Sequence, residues 1–187
     1  MITLVRHART EANAGGRLQG RLDLPLDDIG REQATALARI VVSVDRVICS
    51  PMLRARQTAE VFGLEPEIDE RWQEVAFGDY EGSRIADVPP EIWERLLSDM
   101  EFTLPGGESL RSLGERVFAA LDDLVEEART RHVVVVTHAT PVKAAMAWAL
   151  GAGLEITWRS HVDQASVTRV VMRERGPALS VFNLVPH

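Results

Sequence analysis

The chain has 187 residues, enough for one domain with a full core. Its 45% hydrophobic and 26% charged content is that of an ordinary folded protein, and its net charge of −7 argues against nonspecific nucleic-acid binding, which needs a basic surface. No apolar run approaches the roughly 20 residues that span a bilayer, and the single cysteine, Cys49, excludes an internal disulfide. Because Met1 opens directly into an apolar strand, no signal peptide is expected and the chain is read as cytoplasmic, with no membrane contact. Charge is uneven. Residues 1–56 hold nine Arg against six Asp or Glu, while the remainder is strongly acidic, a pattern compatible with a local anion pocket or with chance.

In chain order, Ile2-Thr3-Leu4-Val5 reads as a buried strand that stops at Arg6-His7. Ligands of open α/β sheets bind beyond the carboxyl ends of the strands, and an arginine beside a histidine there suits an anionic substrate. On its own the pair also fits a surface feature. Asn13 to Arg21 carries three glycines, which allow sharp turns and close backbone approach. A helix capped by Asp27 or Asp28 follows, with Ala34, Leu37, Ala38 and Val41 on one face. Arg46-Val47-Ile48-Cys49 predicts a second strand, ending in a buried, inert thiol.

Ser50-Pro51 then predicts a helix cap and first-turn proline, with Gly63 as the stop. Arg54 falls in the first turn, where backbone N–H groups and the helix dipole attract anions. Arg56 is read as a solvated charge. Residues 65–69 suggest a short edge segment, and 70–82 a structured loop. Residues 83–105 contain Pro89-Pro90 and a short amphipathic helix around Ile92, Trp93, Leu96 and Leu97. They read either as a small lid over the sheet or as a connecting helix packed down. A long helix from Glu108 buries Leu110, Leu113, Val117, Leu121 and Leu124. Val133 to Val136 is a strand covered on both faces, ending at Thr137-His138. Thr140-Pro141 opens a helix to Gly151. Residues 165–172 and 179–185 predict a strand pair joined through Gly176-Pro177.

Three strand ends therefore carry Arg6 and His7, Arg54, and His138. With Asn13 and Glu74 they compose a set suited to phosphoryl transfer, in which positioning and charge stabilisation do most of the work. A histidine nucleophile splits hydrolysis into two displacements, and a carboxylic acid protonates the leaving oxygen and later activates water. The five histidines lack ligand-type spacing, so neither a metal nor a cofactor is expected.

These motifs resemble the histidine phosphatase superfamily, the phosphoglycerate mutase-like proteins. Leu4-Val5-Arg6-His7-Ala8-Arg9-Thr10 with Asn13 is similar to its Arg-His-Gly-Glu-Thr signature. The likeness continues through Leu18 to Asp23, Cys49 to Ala59, Glu74 with Phe77 to Gly82, Pro105 to Ser109, Val136-Thr137-His138 and Ala165 to Thr168. It implies a three-layer α/β/α sandwich with a mostly parallel central sheet. It also implies His7 as the phosphorylated nucleophile and Glu74 as proton donor and then base. Arg6, Arg54 and His138 would bind the transferring group, with Asn13 beside them and Gln19 and Gly20 lining the substrate side. Three departures stand out. Ala8 and Ala139 occupy usual glycine positions, the first a source of strain if positive φ is needed there, and Arg9 replaces a glutamate and makes the mouth more basic.

The resulting expectation is a single-domain, metal-independent hydrolase of small phosphorylated metabolites, with a lid-like insertion at about 83–105. A 2,3-bisphosphoglycerate-dependent phosphoglycerate mutase and a noncatalytic phosphate-binding regulator are the alternatives. The lid residues Trp93, Leu96 and Phe102, with Arg17 and Arg21, would set the substrate, the apolar ones favouring some hydrophobic surface. The sequence does not fix oligomeric state, and a homodimer stays open.

Overall fold

The computed structural model describes residues 1–186. Strands β1 (Ile2–Arg6), β2 (Arg46–Cys49), β3 (Glu67–Ile68), β4 (Val133–Thr137), β5 (Val167–Arg173) and β6 (Gly176–Leu184) form one sheet in the order β3-β2-β4-β1-β5-β6. The first four of these in space, β3, β2, β4 and β1, pair in parallel; β5 runs antiparallel to β1 and to β6. The mostly parallel sheet expected from the sequence is therefore present.

Side-chain alternation along the central strands divides the core. Ile2, Leu4, Val133 and Val135 pack in one cluster, and Val5, Val47, Val134 and Val136 in the other. Helices α2 (Asp28–Leu37) and α3 (Leu53–Ala59) contribute Ala34, Leu37, Ala55 and Ala59 to the second cluster. Helices α5 (Leu110–Asp122) and α6 (Ala139–Leu150) contribute Leu113, Val117, Leu121, Val142 and Ala145 to the first. Two shorter helices, α1 (Glu11–Ala14) and α4 (Pro90–Ser98), lie in the connections. The result is the three-layer sandwich.

Most helix ends follow the sequence signals. Asp27 caps α2, its carboxylate accepting from Gly30 N at 2.7 Å, and Ser109 caps α5, its hydroxyl accepting from Ser112 N at 3.1 Å. Gly63 and Gly151 close their segments in the left-handed conformation, φ 68° and 61°. Two starts differ. Ser50 does not cap α3: its N–H still bonds Val136 O at 3.0 Å, so the chain stays extended past β2 and Met52 takes the cap position. At α6, His138 holds the cap position, and Thr140 and Pro141 lie inside the first turn, where a missing N–H costs nothing. Two other differences are smaller. Trp72, read as part of a loop, is fully buried in the core, and β6 begins at Gly176, making the final hairpin tighter than expected.

Candidate active site

The carboxyl ends of β1 and β4 lie side by side. His7 N donates to Thr137 O at 2.8 Å, which extends the parallel ladder one residue and fixes the His7 backbone beside His138. The two imidazoles meet edge to face, 5.1 Å between centroids. Arg54, from the first turn of α3, is completely buried against them. Its Nε–H points at His7 Nε2 (3.3 Å) and His138 Nδ1 (3.2 Å). Its Nη atoms donate to Leu22 O and Gly20 O, both at 2.7 Å.

These partners fix both tautomers. Ala8 O can only accept, so His7 Nδ1, 2.8 Å away, carries the proton and Nε2 keeps its lone pair. The Arg54 Nε–H can only donate, so His138 Nδ1 is bare and its Nε2–H donates to Ser50 Oγ at 2.7 Å. Burial, then the charges of Arg54 and Arg6, hold the His7 pKa well below the ordinary imidazole value. Burial and Arg54 do the same to His138. Both rings are neutral near pH 7. Burial also lowers Arg54, to about 10, which leaves it charged.

Arg6 donates through Nη1 to Val162 O, while its buried Nε has no partner among the described residues. Glu74 lies in the loop after Trp72. Its Oε1 accepts from Val75 N at 2.9 Å and from Thr140 N, in the first turn of α6, at 3.3 Å. The structure thus brings Arg6, His7, Arg54, Glu74 and His138 to one end of the sheet.

The three expected substrate-side residues have structural partners as well. Asn13 Oδ1 accepts from Thr10 N in a capping box, and its amide nitrogen has no partner among the described residues. Gln19 Oε1 lies 2.9 Å from Thr10 Oγ1, and its buried Nε2 has no partner among the described residues. Gly20 adopts φ +50°, and its carbonyl holds Arg54; a Cβ there would meet Glu81 Oε1 at 2.1 Å.

Sequence reasoning missed two residues. Ser50 positions His138, and Thr58 Oγ1 accepts from Ala8 N at 3.0 Å while donating to Arg54 O at 2.7 Å, tying α3 to the nucleophile loop. Ser50-Pro51 imitates a helix cap, which hid the first; a buried threonine four residues past an arginine carries no signal for the second. Two of the three departures from the family signature are also resolved. Ala8 does not have positive φ and is fully buried in the core, so it brings no strain. Arg9 pairs with Asp27 at 2.9 Å, so its charge is compensated rather than added to the mouth.

Two neutral imidazoles, a buried and a half-buried guanidinium group and a carboxylate at the carboxyl ends of parallel strands define an α/β enzyme that handles phosphoryl groups. The sequence model of the histidine phosphatase superfamily (branch 1) matches residues 2–185. A putative phosphoserine phosphatase 2 of Hydrogenobacter thermophilus is 34% identical, covering 98% of this chain and 95% of that protein. A phosphoserine phosphatase of Entamoeba histolytica, solved as a mutant with phosphoserine, superimposes with a TM-score of 0.89 at 26% identity, covering 97% of this chain and 95% of that one. A mycobacterial glucosyl-3-phosphoglycerate phosphatase, solved with VO3, gives 0.87 at 28% identity, covering 97% and 98%. The chain belongs to the histidine phosphatase superfamily, and it is a phosphatase.

Proposed function

We propose that this phosphatase hydrolyses small phosphomonoesters by two displacements through a phosphohistidine at His7, without a metal. The observation that carries the reading is the lone pair of His7 Nε2, held by the Nδ1–H to Ala8 O and facing Arg54. Arg6, Arg54 and His138 surround the phosphoryl group, and the amide nitrogens of Asn13 and Gln19, without partners among the described residues, supply further donors. Nε2 attacks phosphorus, and the P–O bond to the leaving group breaks. Glu74, in its acid form, gives its proton to the departing oxygen. Its carboxylate then takes a proton from water, whose oxygen attacks phosphorus. The N–P bond breaks, and its electron pair returns to Nε2.

The segment 83–105 is the cover on the leaving-group side. Its 3-10 turn at Ile85–Asp87 is tied to the glycine loop by Ile85 N to Gly16 O at 2.9 Å, and Leu96 and Leu104 are buried beside Val75 and Ala76. A mutase, whose phosphohistidine must be shielded from water, is disfavoured by so short a cover. Among the described residues no helix is long and apolar enough to cross a membrane. The composition suits the cytoplasm.

Phosphoserine and 3-phosphoglycerate, ligands in structures of related proteins, head the substrates to test. Phosphate release from a phosphomonoester panel with EDTA present is the direct assay. The expected result is EDTA-insensitive release that His7→Ala abolishes. Bisphosphoglycerate-dependent isomerisation without release would favour the mutase, and silence on every ester would favour a binding protein.

A further inference from the structure

Of the 21 Lys and Arg residues only Lys143 is a lysine. It stands on α6 three residues after Thr140, whose N–H meets the Glu74 carboxylate, and therefore on the same helix face. It is half-buried, and the charges it faces are Glu74 and Arg6. Among the described residues it enters no ion pair or hydrogen bond. Other cations are engaged: Arg9 with Asp27, Arg21 and Arg116 with Glu108, and Arg54 with two carbonyls. Burial draws the Lys143 pKa down, and Glu74 only partly offsets this. A half-buried ammonium without a partner is desolvated without return.

Its surroundings describe what it meets. Glu74 marks where the ester oxygen departs, so Lys143 stands on the leaving-group side. One turn away, Thr140 lines a cavity of about 10 Å³ together with Phe77, Leu96, Phe102 and Trp158. That is room for one water, not for a bulky apolar group. Trp158, which lines this cavity, keeps a buried Nε1–H with no acceptor among the described residues. Lys143, facing Glu74, and Trp158, facing the Val75–Phe77 segment that follows it, are thus two donors without partners on the same side of the site.

We propose that Lys143 is a substrate-recognition residue that binds a carboxylate carried by the leaving group of a small phosphorylated acid. This rests on the phosphatase reading and adds what that reading lacks, a contact selecting among esters. Phosphoserine and phosphoethanolamine differ by that carboxylate alone, and p-nitrophenyl phosphate reports the chemistry without either. Steady-state kinetics on all three, for the wild type, Lys143→Met and Lys143→Arg, make the test.

The wild type is expected to prefer phosphoserine to phosphoethanolamine by about tenfold or more, the size of one charge-assisted contact. Lys143→Met should raise KM for phosphoserine by a similar factor and leave the other two esters within about twofold. Lys143→Arg should restore part of the loss. Equal losses on all three esters, with a displaced pH profile, would show Lys143 acting through Glu74 and overturn the proposal. A wild type indifferent to the carboxylate, while active on p-nitrophenyl phosphate, would overturn it and spare the phosphatase reading. Activity on none of the three would overturn both.

Discussion

The chemistry of this site turns on which nitrogen of each histidine holds a proton, and single residues decide that. Ala8 O sets His7, and Arg54 with Ser50 sets His138. Ser50→Ala removes the acceptor from the His138 Nε2–H and frees the ring to turn. One hydrogen bond of about 1–1.5 kcal/mol corresponds to roughly a tenfold loss in kcat. KM and the chemical denaturation midpoint should move much less; an unchanged kcat would remove Ser50 from the account. At this scale the sequence was informative where chemistry coincides with a strand end. His7 and His138 follow short, β-branched apolar runs of the kind that form buried strands, so their place at the sheet rim was readable. Arg54 was readable as an anion ligand through its closeness to a helix start. Its burial between both histidines was not, because that depends on the carbonyls of Gly20 and Leu22 arriving from a distant loop.

Among elements, the loops around Glu74 depend on one close approach. Gly78 adopts φ +54°, and a Cβ there would stand 1.9 Å from Pro105 O, a backbone atom that cannot rotate away. Gly78→Ala should therefore destabilise the protein by more than about 1 kcal/mol. It should also lower activity, since the 105–107 turn and the Ala76 carbonyl, which accepts from Glu108 N at 2.9 Å, are displaced together. Urea denaturation and phosphate release on the same preparation check both; a fully active, equally stable variant would contradict the packing argument. Regular elements were legible because their periodicity is local. The stripe of α5 and the four valines of β4 are each specified by their own burial. Trp72 was hidden because its burial comes from the fold: Thr137 Oγ1 donates to its carbonyl at 2.6 Å, and its side chain fills the core below. The start of α3 was displaced because a sheet hydrogen bond at Ser50 outweighs a local capping preference.

For the whole molecule, the neutral site has a cost in acid. His7 and His138 are buried, with pKa values held well below the unfolded value of about 6.5. Burial lowers His132 as well, against the opposing pull of the Ser43 and Val42 carbonyls. Below pH 6.5 the unfolded chain binds protons that the folded chain does not, so stability falls with pH. Each histidine adds up to about 1.4 kcal/mol per pH unit until its folded pKa is reached. The carboxylates lowered by their partners, Glu108 beside Arg116 among them, lose their contribution only below their own unfolded range, near 4.5. Urea titrations at pH 7.5, 6.5 and 5.5 should show the decline, with a shallower slope for His7→Gln. A flat profile over that window would mean that the site histidines titrate normally. The acid limb of kcat/KM should likewise lie below about 6.5, because the His7 lone pair survives there.

The phosphohistidine itself is the central claim, and Glu74→Gln with p-nitrophenyl phosphate tests it most directly. An aryl leaving group needs little protonation, so the first displacement should proceed, while hydrolysis of the N–P bond, without its base, should stall. The expected result is a burst of one p-nitrophenol per chain, with an acid-labile phosphoryl group on His7 detected by mass spectrometry after a rapid alkaline quench. Steady release without a burst, and with no phosphoryl group on His7, would contradict it.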